Sequence, residues 1–123
     1  MTAQSTGPRG RQDLEPQDIA FVPACSESDL AEGDRRCLKL GKAKKSVLLC
    51  RSAKGIHAIE PWCSHAWQEL EGGIVRDGWI ACPAHGARFD LATGEVLGPP
   101  ATDPIATYPV RLRDGMIEVG IAA

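Results

Sequence analysis

The sequence lacks any apolar run long enough to cross a bilayer, and residues 1–11 contain no apolar core of the kind that opens a secretory signal. We therefore expect an unanchored cytoplasmic protein. An excess of basic charge is also missing, because 14 Lys and Arg residues stand against 16 Asp and Glu residues. Neutralising phosphates needs a basic surface, so we expect no nucleic-acid partner.

Helical periodicity is absent as well, since no long window repeats apolar residues every 3.6 positions. Short apolar runs alternate with turn signals instead, and their lengths favour strands, at residues 19–24, 37–40, 47–50 and 56–59. Asp77-Gly78 and Asp114-Gly115 each separate two apolar runs, as hairpin turns do. The sequence therefore predicts an antiparallel all-β domain, with at most one helical turn over residues 26–31.

A chain of 123 residues suits one domain with one compact fold. Residues 1–16 are rich in Gly, Gln, Ser, Thr and charge, and they offer little apolar surface to offset the entropy lost on ordering. We predict a flexible tail over residues 1–16 and a folded domain over residues 17–123.

The five cysteines are an odd number in a chain without secretory features, which argues against a closed disulfide framework. Cys25, Cys37 and Cys50 lie in or beside apolar runs and are expected to pack as small apolar side chains. Cys63 and Cys82 remain, and both lie in loops.

Each of these loops pairs its cysteine with a histidine. The first reads PWCSH over residues 61–65 and the second reads ACPAHG over residues 81–86. The predicted hairpin at Asp77-Gly78 can bring the second loop beside the first. Thiolate and imidazole ligands together suit zinc, iron-sulfur or copper, so the ligand types alone leave the metal open.

The pattern C-x-H followed by C-x-x-H resembles that of the Rieske family at all four ligand positions, Cys63, His65, Cys82 and His85. The resemblance continues through three further segments, which are LEGG at 70–73, CPAHGARFDLATG at 82–94 and GPPA at 98–101. It covers roughly residues 21–121 of the chain.

This resemblance implies a Rieske-like antiparallel β-sandwich with a small cluster-binding subdomain, whose loops lie at about residues 61–73, 81–90 and 97–102. It also implies one [2Fe-2S] cluster, with Cys63 and Cys82 on the inner iron and His65 and His85 on the outer iron. Two neutral histidines in place of two thiolates raise the reduction potential.

The chain departs from the Rieske proteins of cytochrome bc complexes in two respects. Those proteins carry an extra disulfide-forming cysteine in each loop, where this sequence has Gln68 and Ala84. They also place serine and tyrosine donors near the cluster, where Ala87 and Phe89 stand here. Both departures imply a potential toward the low end of the Rieske range of about −150 to +300 mV.

The implied function is a soluble one-electron carrier. It would link an NAD(P)H-dependent flavoprotein reductase to a terminal Rieske non-haem iron oxygenase, as in aromatic-ring dioxygenase systems. The carrier itself is not expected to be an enzyme, because His57 is the only histidine beyond the two predicted ligands. A second site with two histidines and a carboxylate therefore cannot be built within this chain.

Three alternatives stay open at this stage. The chain could be the small Rieske-like subunit of a nitrite reductase. Two cysteines and two histidines would equally satisfy a structural zinc ion. A Cys-His nucleophilic enzyme is a further alternative, although two paired Cys/His motifs favour metal ligation.

The three tryptophans and His57 lie near the two loops or in the apolar runs. Trp62 and Trp79 are expected in the core, Trp67 is expected either at a partner surface or packed over its loop, and His57 is expected to face solvent. Eight basic residues fall within residues 35–54. A lysine-protected sheet edge is the favoured explanation of this stretch, and a docking patch for an acidic partner is the alternative.

Overall fold

The computed structural model describes residues 19–64, 68–84, 86–99 and 103–122, so the predicted tail at residues 1–16 lies outside the described residues. Two 3₁₀ helices span Glu27–Asp29 and Leu70–Gly72. The strands are β1 (Ile19–Ser26), β2 (Arg35–Leu40), β3 (Lys45–Ser52), β4 (Gly55–Ile59), β5 (Ile74–Arg76), β6 (Trp79–Ala81), β7 (Arg88–Asp90), β8 (Val96–Gly98), β9 (Thr107–Tyr108), β10 (Val110–Arg113) and β11 (Met116–Ala122).

These strands form three antiparallel sheets, in the orders β1-β11-β10, β2-β3-β4-β9 and β5-β6-β7-β8. The first two sheets enclose a common core and make the sandwich, while the third is a separate small sheet. The prediction of an antiparallel all-β domain is confirmed, and the predicted helical turn over 26–31 is the 3₁₀ helix at Glu27–Asp29. No helix in the described parts of the chain is long and apolar enough to cross a membrane.

Strand β3 explains how the small sheet is held. Val47 and Leu49 point into the sandwich core, whereas Leu48 and Cys50 point the other way, because successive side chains of a strand alternate. All four are fully buried, which is why the sequence is continuously apolar here. One strand therefore supports two cores.

The second core, here called the junction core, lies between the sandwich and the small sheet. Its buried members are Leu48, Cys50, Ile59, Cys63, Leu70, Val75, Ile80, Cys82, Ala87, Phe89, Leu91 and Ile105. Both loop cysteines belong to it, so the packing that holds the small sheet on the sandwich also positions the two predicted cysteine ligands.

The outer edge of the second sheet is β2, and its protection comes from outside the strand. The Cys37 N–H donates a hydrogen bond to Glu71 Oε2 at 3.2 Å, and Arg35 Nε donates one to the Glu71 carbonyl at 2.7 Å. Glu71 lies just after the first cysteine loop. Its carboxylate accepts from the Cys37 N–H, a backbone donor that could otherwise pair with a strand of another molecule.

The last predicted hairpin is confirmed at its turn, where Arg113 pairs with Met116. Tyr108, Val110 and Leu112 alternate with polar residues and Pro109 and predict one strand before this turn, but that strand is divided between two sheets. Tyr108 pairs with Ala58 in the second sheet, and Val110 pairs with Val119 in the first. The chain crosses between the sheets at Pro109, which has no N–H to donate to either ladder.

Candidate metal centre

The two cysteine loops have the same backbone construction. The Cys63 N–H donates to the Gln68 carbonyl at 2.9 Å, and the Cys82 N–H donates to the Ala87 carbonyl at 2.7 Å. Residues immediately outside each closure also pair, since Trp62 bridges to Glu69 and Ala81 to Arg88. Each cysteine therefore opens a loop that its own amide closes five residues later.

The two loops lie side by side. The Leu70 N–H donates to the Pro61 carbonyl at 2.8 Å, which folds the end of the first loop back on its start. Gly73 follows the end of this loop, and a Cβ added there would lie 1.9 Å from the Ala81 carbonyl oxygen. Only glycine allows this approach, and Ala81 precedes Cys82. The backbone contact therefore holds the second cysteine beside the first loop.

Both cysteine side chains are buried, with 4% of Cys63 and 2% of Cys82 exposed. None of the five cysteines, all of which lie in described parts of the chain, forms a disulfide. Cysteine sulfurs are the usual ligands of iron in iron–sulfur clusters. Two buried sulfurs on matching, adjacent loops therefore fit the inner ligands of a metal cluster.

The predicted imidazole ligands, His65 and His85, and the loop residue Trp67 lie outside the described residues. In the sequence, each histidine falls between its cysteine and the residue that closes the loop. Within residues 19–64, 68–84, 86–99 and 103–122, no three potential ligands come together. The four-residue ligand set therefore stays a prediction.

The walls around the cysteines are apolar where bc-type proteins carry donors. Ala87 and Phe89 are fully buried in the junction core beside Cys82. Neither side chain can donate a hydrogen bond to sulfur. The low-potential interpretation stays a prediction, and the burial of these two residues supports its premise.

A side-chain hydrogen bond joins the first loop to the segment after the proline-rich stretch. Ser64 Oγ donates to the Asp103 carbonyl at 2.5 Å. Ser64 lies next to Cys63, and Asp103 follows the predicted third loop at 97–102, of which residues 97–99 are described. The bond ties the two loops together across 39 positions of sequence.

Two predictions on individual side chains are wrong. Trp62 is 39% exposed, because Cys63 points into the junction core and its neighbour must point outward. Cys37 is exposed on the outer strand β2, although its thiol is partly shielded from water, and this shielding together with the carboxylate of Glu71 raises the pKa of the thiol. Trp79 is half-buried, and the Arg88 guanidinium lies 5.4 Å from its ring centroid.

His57 does not simply face solvent as predicted. It lies opposite Cys50 on the side of β4 that faces the junction core, and it is half-buried. Its Nδ1 is fully buried and has no hydrogen-bond partner among the described residues. Burial lowers the pKa of this histidine below its ordinary value, and nearby Asp90 opposes that shift.

We expect His57 to make the protein less stable in mild acid. The unfolded chain takes up a proton on this histidine near pH 6.5, while the folded chain resists it, so stability falls as the pH drops below 6.5 toward the folded-state pKa. Urea unfolding at pH 7.5 and 5.5 should show a smaller acid loss in His57→Gln than in the unaltered protein. Equal losses in the two proteins would contradict this role.

Comparison with known proteins agrees with this geometry. Residues 20–109 match the family model of the Rieske [2Fe-2S] domain. The chain belongs to the Rieske [2Fe-2S] domain family. It is 35% identical over 101 residues to the ferredoxin subunit of 3-phenylpropionate/cinnamic acid dioxygenase from Shigella flexneri, covering 81% of this chain and 92% of that relative.

Solved structures of Rieske proteins share the fold. One is a ferredoxin from the complex of reduced oxygenase and oxidized ferredoxin in carbazole 1,9a-dioxygenase, with a TM-score of 0.73, 26% identity and coverage of 80% of this chain and 91% of that one. Another, from Mycobacterium tuberculosis, is named as an NADH-dependent nitrite reductase small subunit, with a TM-score of 0.74, 25% identity and coverage of 85% and 97%.

The Rieske-like sandwich with its small subdomain is thereby confirmed, as is one Rieske-type [2Fe-2S] cluster. The chain is an electron carrier of the ferredoxin type and is not an enzyme. Such a cluster accepts and releases one electron at a time. The chain's own residues provide two buried sulfurs, an apolar wall that limits water, and loop closures that keep the ligand loops in one geometry.

Proposed function

We propose that this chain takes single electrons from an NAD(P)H-dependent flavoprotein reductase and passes them to a terminal Rieske non-haem iron oxygenase of an aromatic-ring dioxygenase system. The observation that carries the proposal is the pair of matching cysteine loops, each with a buried sulfur. The dioxygenase relative and the carbazole oxygenase–ferredoxin complex support the choice of system.

We propose Cys63 and Cys82 as ligands of the inner iron, and His65 and His85 as ligands of the outer iron. The burial of both sulfurs supports the inner position for the cysteines. The Rieske domain would span residues 17–123, after a tail at 1–16, with cluster loops at about 61–73, 81–90 and 97–102. The matched range of the family model lies within this domain.

A one-electron carrier has a clear purpose between these two partners. Nicotinamide cofactors release two electrons together as hydride, and a flavin can divide the pair, whereas a mononuclear iron site takes electrons singly. The carrier would work in the cytoplasm, where NAD(P)H is available.

A second candidate is the small subunit of a nitrite reductase. The nitrite reductase neighbour supports it, because this chain covers 97% of that subunit at a TM-score of 0.74. A stable complex with a catalytic chain during purification would favour this candidate. A monodisperse ferredoxin that exchanges partners would favour the oxygenase system.

The proposed function predicts a red-brown protein that gives a rhombic paramagnetic resonance signal of low average g after reduction with dithionite. A flavoprotein reductase with NADH should then reduce it, and an oxygenase should reoxidise it, with one electron transferred per chain in each step. A colourless, zinc-loaded protein obtained with ample iron and sulfide would contradict the carrier function. A reducible cluster that neither partner oxidises or reduces would contradict only the choice of partners.

A further inference from the structure

Positive charge is concentrated in one segment of this acidic chain. Residues 35–54 contain eight of the 14 Lys and Arg residues and no Asp or Glu. The rest of the chain contains the other six basic residues and all 16 acidic ones. The segment comprises β2, β3, their connecting turn and the two residues after β3, so one hairpin carries seven of these eight cations and a charge opposite to that of the remaining protein.

The three arginines among these eight cations are bound to backbone carbonyls. Arg35 donates to the Glu71 carbonyl, Arg36 donates to the Asp29 carbonyl, and Arg51 donates to the Leu30 carbonyl. Arg51 also lies 3.6 Å from a carboxylate oxygen of Glu27. These arginines tie the hairpin to its surroundings, so their presence is explained by the fold.

The lysines at the turn are different. Lys42, Lys44 and Lys45, here called the tip lysines, are exposed at the end of the β2–β3 hairpin. Lys42 and Lys44 make no side-chain hydrogen bond or ion pair with any described residue. They also lie beyond the outer strand β2, whose open donor at Cys37 is occupied by Glu71. Protection of the sheet edge against pairing with another strand therefore does not explain Lys42 and Lys44.

Lys44 occupies a backbone conformation that lysine disfavours. Its φ is 57°, in the left-handed region where glycine or asparagine is expected. Strained backbone is often retained at sites of function. Glycine would fit this position without that strain, so backbone geometry does not explain a lysine here.

An apolar cavity opens beside the tip lysines. Its volume is about 600 Å³, and the apolar residues Val22, Tyr108 and Ile121 line it together with Lys42 and Lys45. The Lys45 ammonium lies 5.7 Å from the Tyr108 ring centroid. The surface thus has an apolar recess bordered by cations, as a protein interface has an apolar centre and a polar rim.

This surface is connected to the first ligand loop. The carboxyl group of Glu60 accepts a hydrogen bond from the Ala106 N–H at 2.7 Å. Burial raises the pKa of this carboxyl group, and the positive charge of nearby Lys45 opposes the shift. Glu60 directly precedes Pro61, where the loop to Cys63 begins. Because β4 runs antiparallel to β3 and Ile59 pairs with Leu48, β4 ends toward the tip-lysine end of the hairpin, and the ligand loop begins at that end.

We propose that the tip lysines and the adjacent cavity form a docking surface for an acidic redox partner protein that inserts an apolar side chain between its carboxylates. The identity of the partner as a redox protein rests on the proposed function. Charge complementarity would raise the association rate, and the inserted side chain would set the orientation.

The first test measures the surface without any electron transfer. The probe is a labelled peptide of acidic residues around one central phenylalanine, and its binding to the cluster-loaded protein is followed by fluorescence anisotropy. The double variant Lys42→Glu/Lys44→Glu should bind it about 10-fold or more weakly. Lys54→Glu, just beyond the opposite end of β3, reverses one charge away from the tip and is the control, which should bind the peptide nearly as well as the unaltered protein.

Three results of this test would overturn the proposal. One is equal peptide binding by the double variant and the unaltered protein, and a second is equal weakening by Lys54→Glu. A third is binding to phosphatidylserine vesicles as tight as binding to the peptide, because that would assign the surface to a lipid headgroup layer.

The second test measures reduction by the reductase and reoxidation by the oxygenase at low and high salt. In the double variant, at least one of these rate constants should fall about 10-fold at low salt and differ little at high salt. The affected step identifies the docked partner. Unchanged rates in both steps would overturn the proposal, whereas no electron transfer by the unaltered protein would contradict the proposed function and leave the peptide test to decide the docking surface.

Lys44→Gly tests whether the effect on peptide binding is independent of the stability of the fold. Glycine accepts the positive φ without strain, so this variant should unfold at the same or a higher temperature than the unaltered protein. Its peptide binding should nevertheless weaken, because one tip charge is lost. A variant that is more stable and binds the peptide equally well would remove Lys44 from the docking surface.

Discussion

Replacing Cys82 with alanine is expected to eliminate the cluster and all electron transfer by the chain. The Cys82 sulfur is buried in the junction core, and its amide closes the second ligand loop. The backbone closure survives the substitution, while the sulfur is lost. Iron and sulfide analysis with visible absorption should show essentially no cluster, and Cys63→Ala should give the same result because its loop has the same construction.

Cys50→Ala is the matched control for this prediction. Cys50 is fully buried in the same junction core, and burial raises the pKa of its thiol to about 12. It lies in β3 and opens no loop, so it is expected to remain a neutral packing residue. The control should keep its full iron content. Cluster loss in Cys50→Ala, or a full cluster in Cys82→Ala, would refute the assignment of the cysteine ligands.

Gly94→Ala is expected to destabilise the folded protein by about 3–5 kcal/mol, through left-handed backbone strain and overpacking together. Gly94 has a φ of 79°, and an added Cβ would lie 2.1 Å from the Ile105 carbonyl oxygen. The backbone cannot move away easily, because the Ile105 N–H also donates to the Gly94 carbonyl at 2.9 Å. Gly94 lies between β7 and β8 of the small sheet, and Ile105 lies in the segment that leads into β9 of the sandwich, so this contact joins the two parts.

Gly115→Ala separates the cost of the left-handed backbone conformation from the cost of the steric clash. Its φ of 80° is nearly the same, but nothing lies within 4 Å of an added Cβ. This variant should lose only about 1 kcal/mol, from the backbone conformation alone. The free energy of unfolding, measured with denaturant on cluster-loaded protein, checks both values. Equal losses in the two variants would show that the collision at Ile105 is relieved at little cost.

The strands were predictable because their signals are local. The apolar runs at 19–24 and 56–59 fall inside β1 and β4, and the Asp-Gly turns lie between β5 and β6 and between β10 and β11. The passage of the chain from the second sheet to the first at Pro109 was not predictable, because the same alternation of apolar and polar residues is compatible with pairing in either sheet. Pairing with β4 or with β11 depends on where those distant strands lie.

The side-chain errors have a common cause. Trp62, Cys37 and His57 were assigned from residue type and from neighbouring residues, but their exposure depends on tertiary packing. For Trp62 and His57 it depends on which face meets the junction core. Cys37 shares its face with Leu48 and is exposed because it lies on the outer strand, beyond the buried part of that face. His57 faces that core because β4 pairs with β3 in a register that sets it opposite Cys50. No local pattern encodes that register.

The sequence by itself predicted the chemistry of this protein, because the spacing of cysteine and histidine in two loops resembles the ligand pattern of the Rieske family. It also determined the all-β class, through short apolar runs and turn residues. Only the tertiary structure decided that the two cysteine loops have one construction and that the tip lysines lie beside an apolar cavity. Such features depend on contacts between residues far apart in the chain, and these form only when the sheets pack.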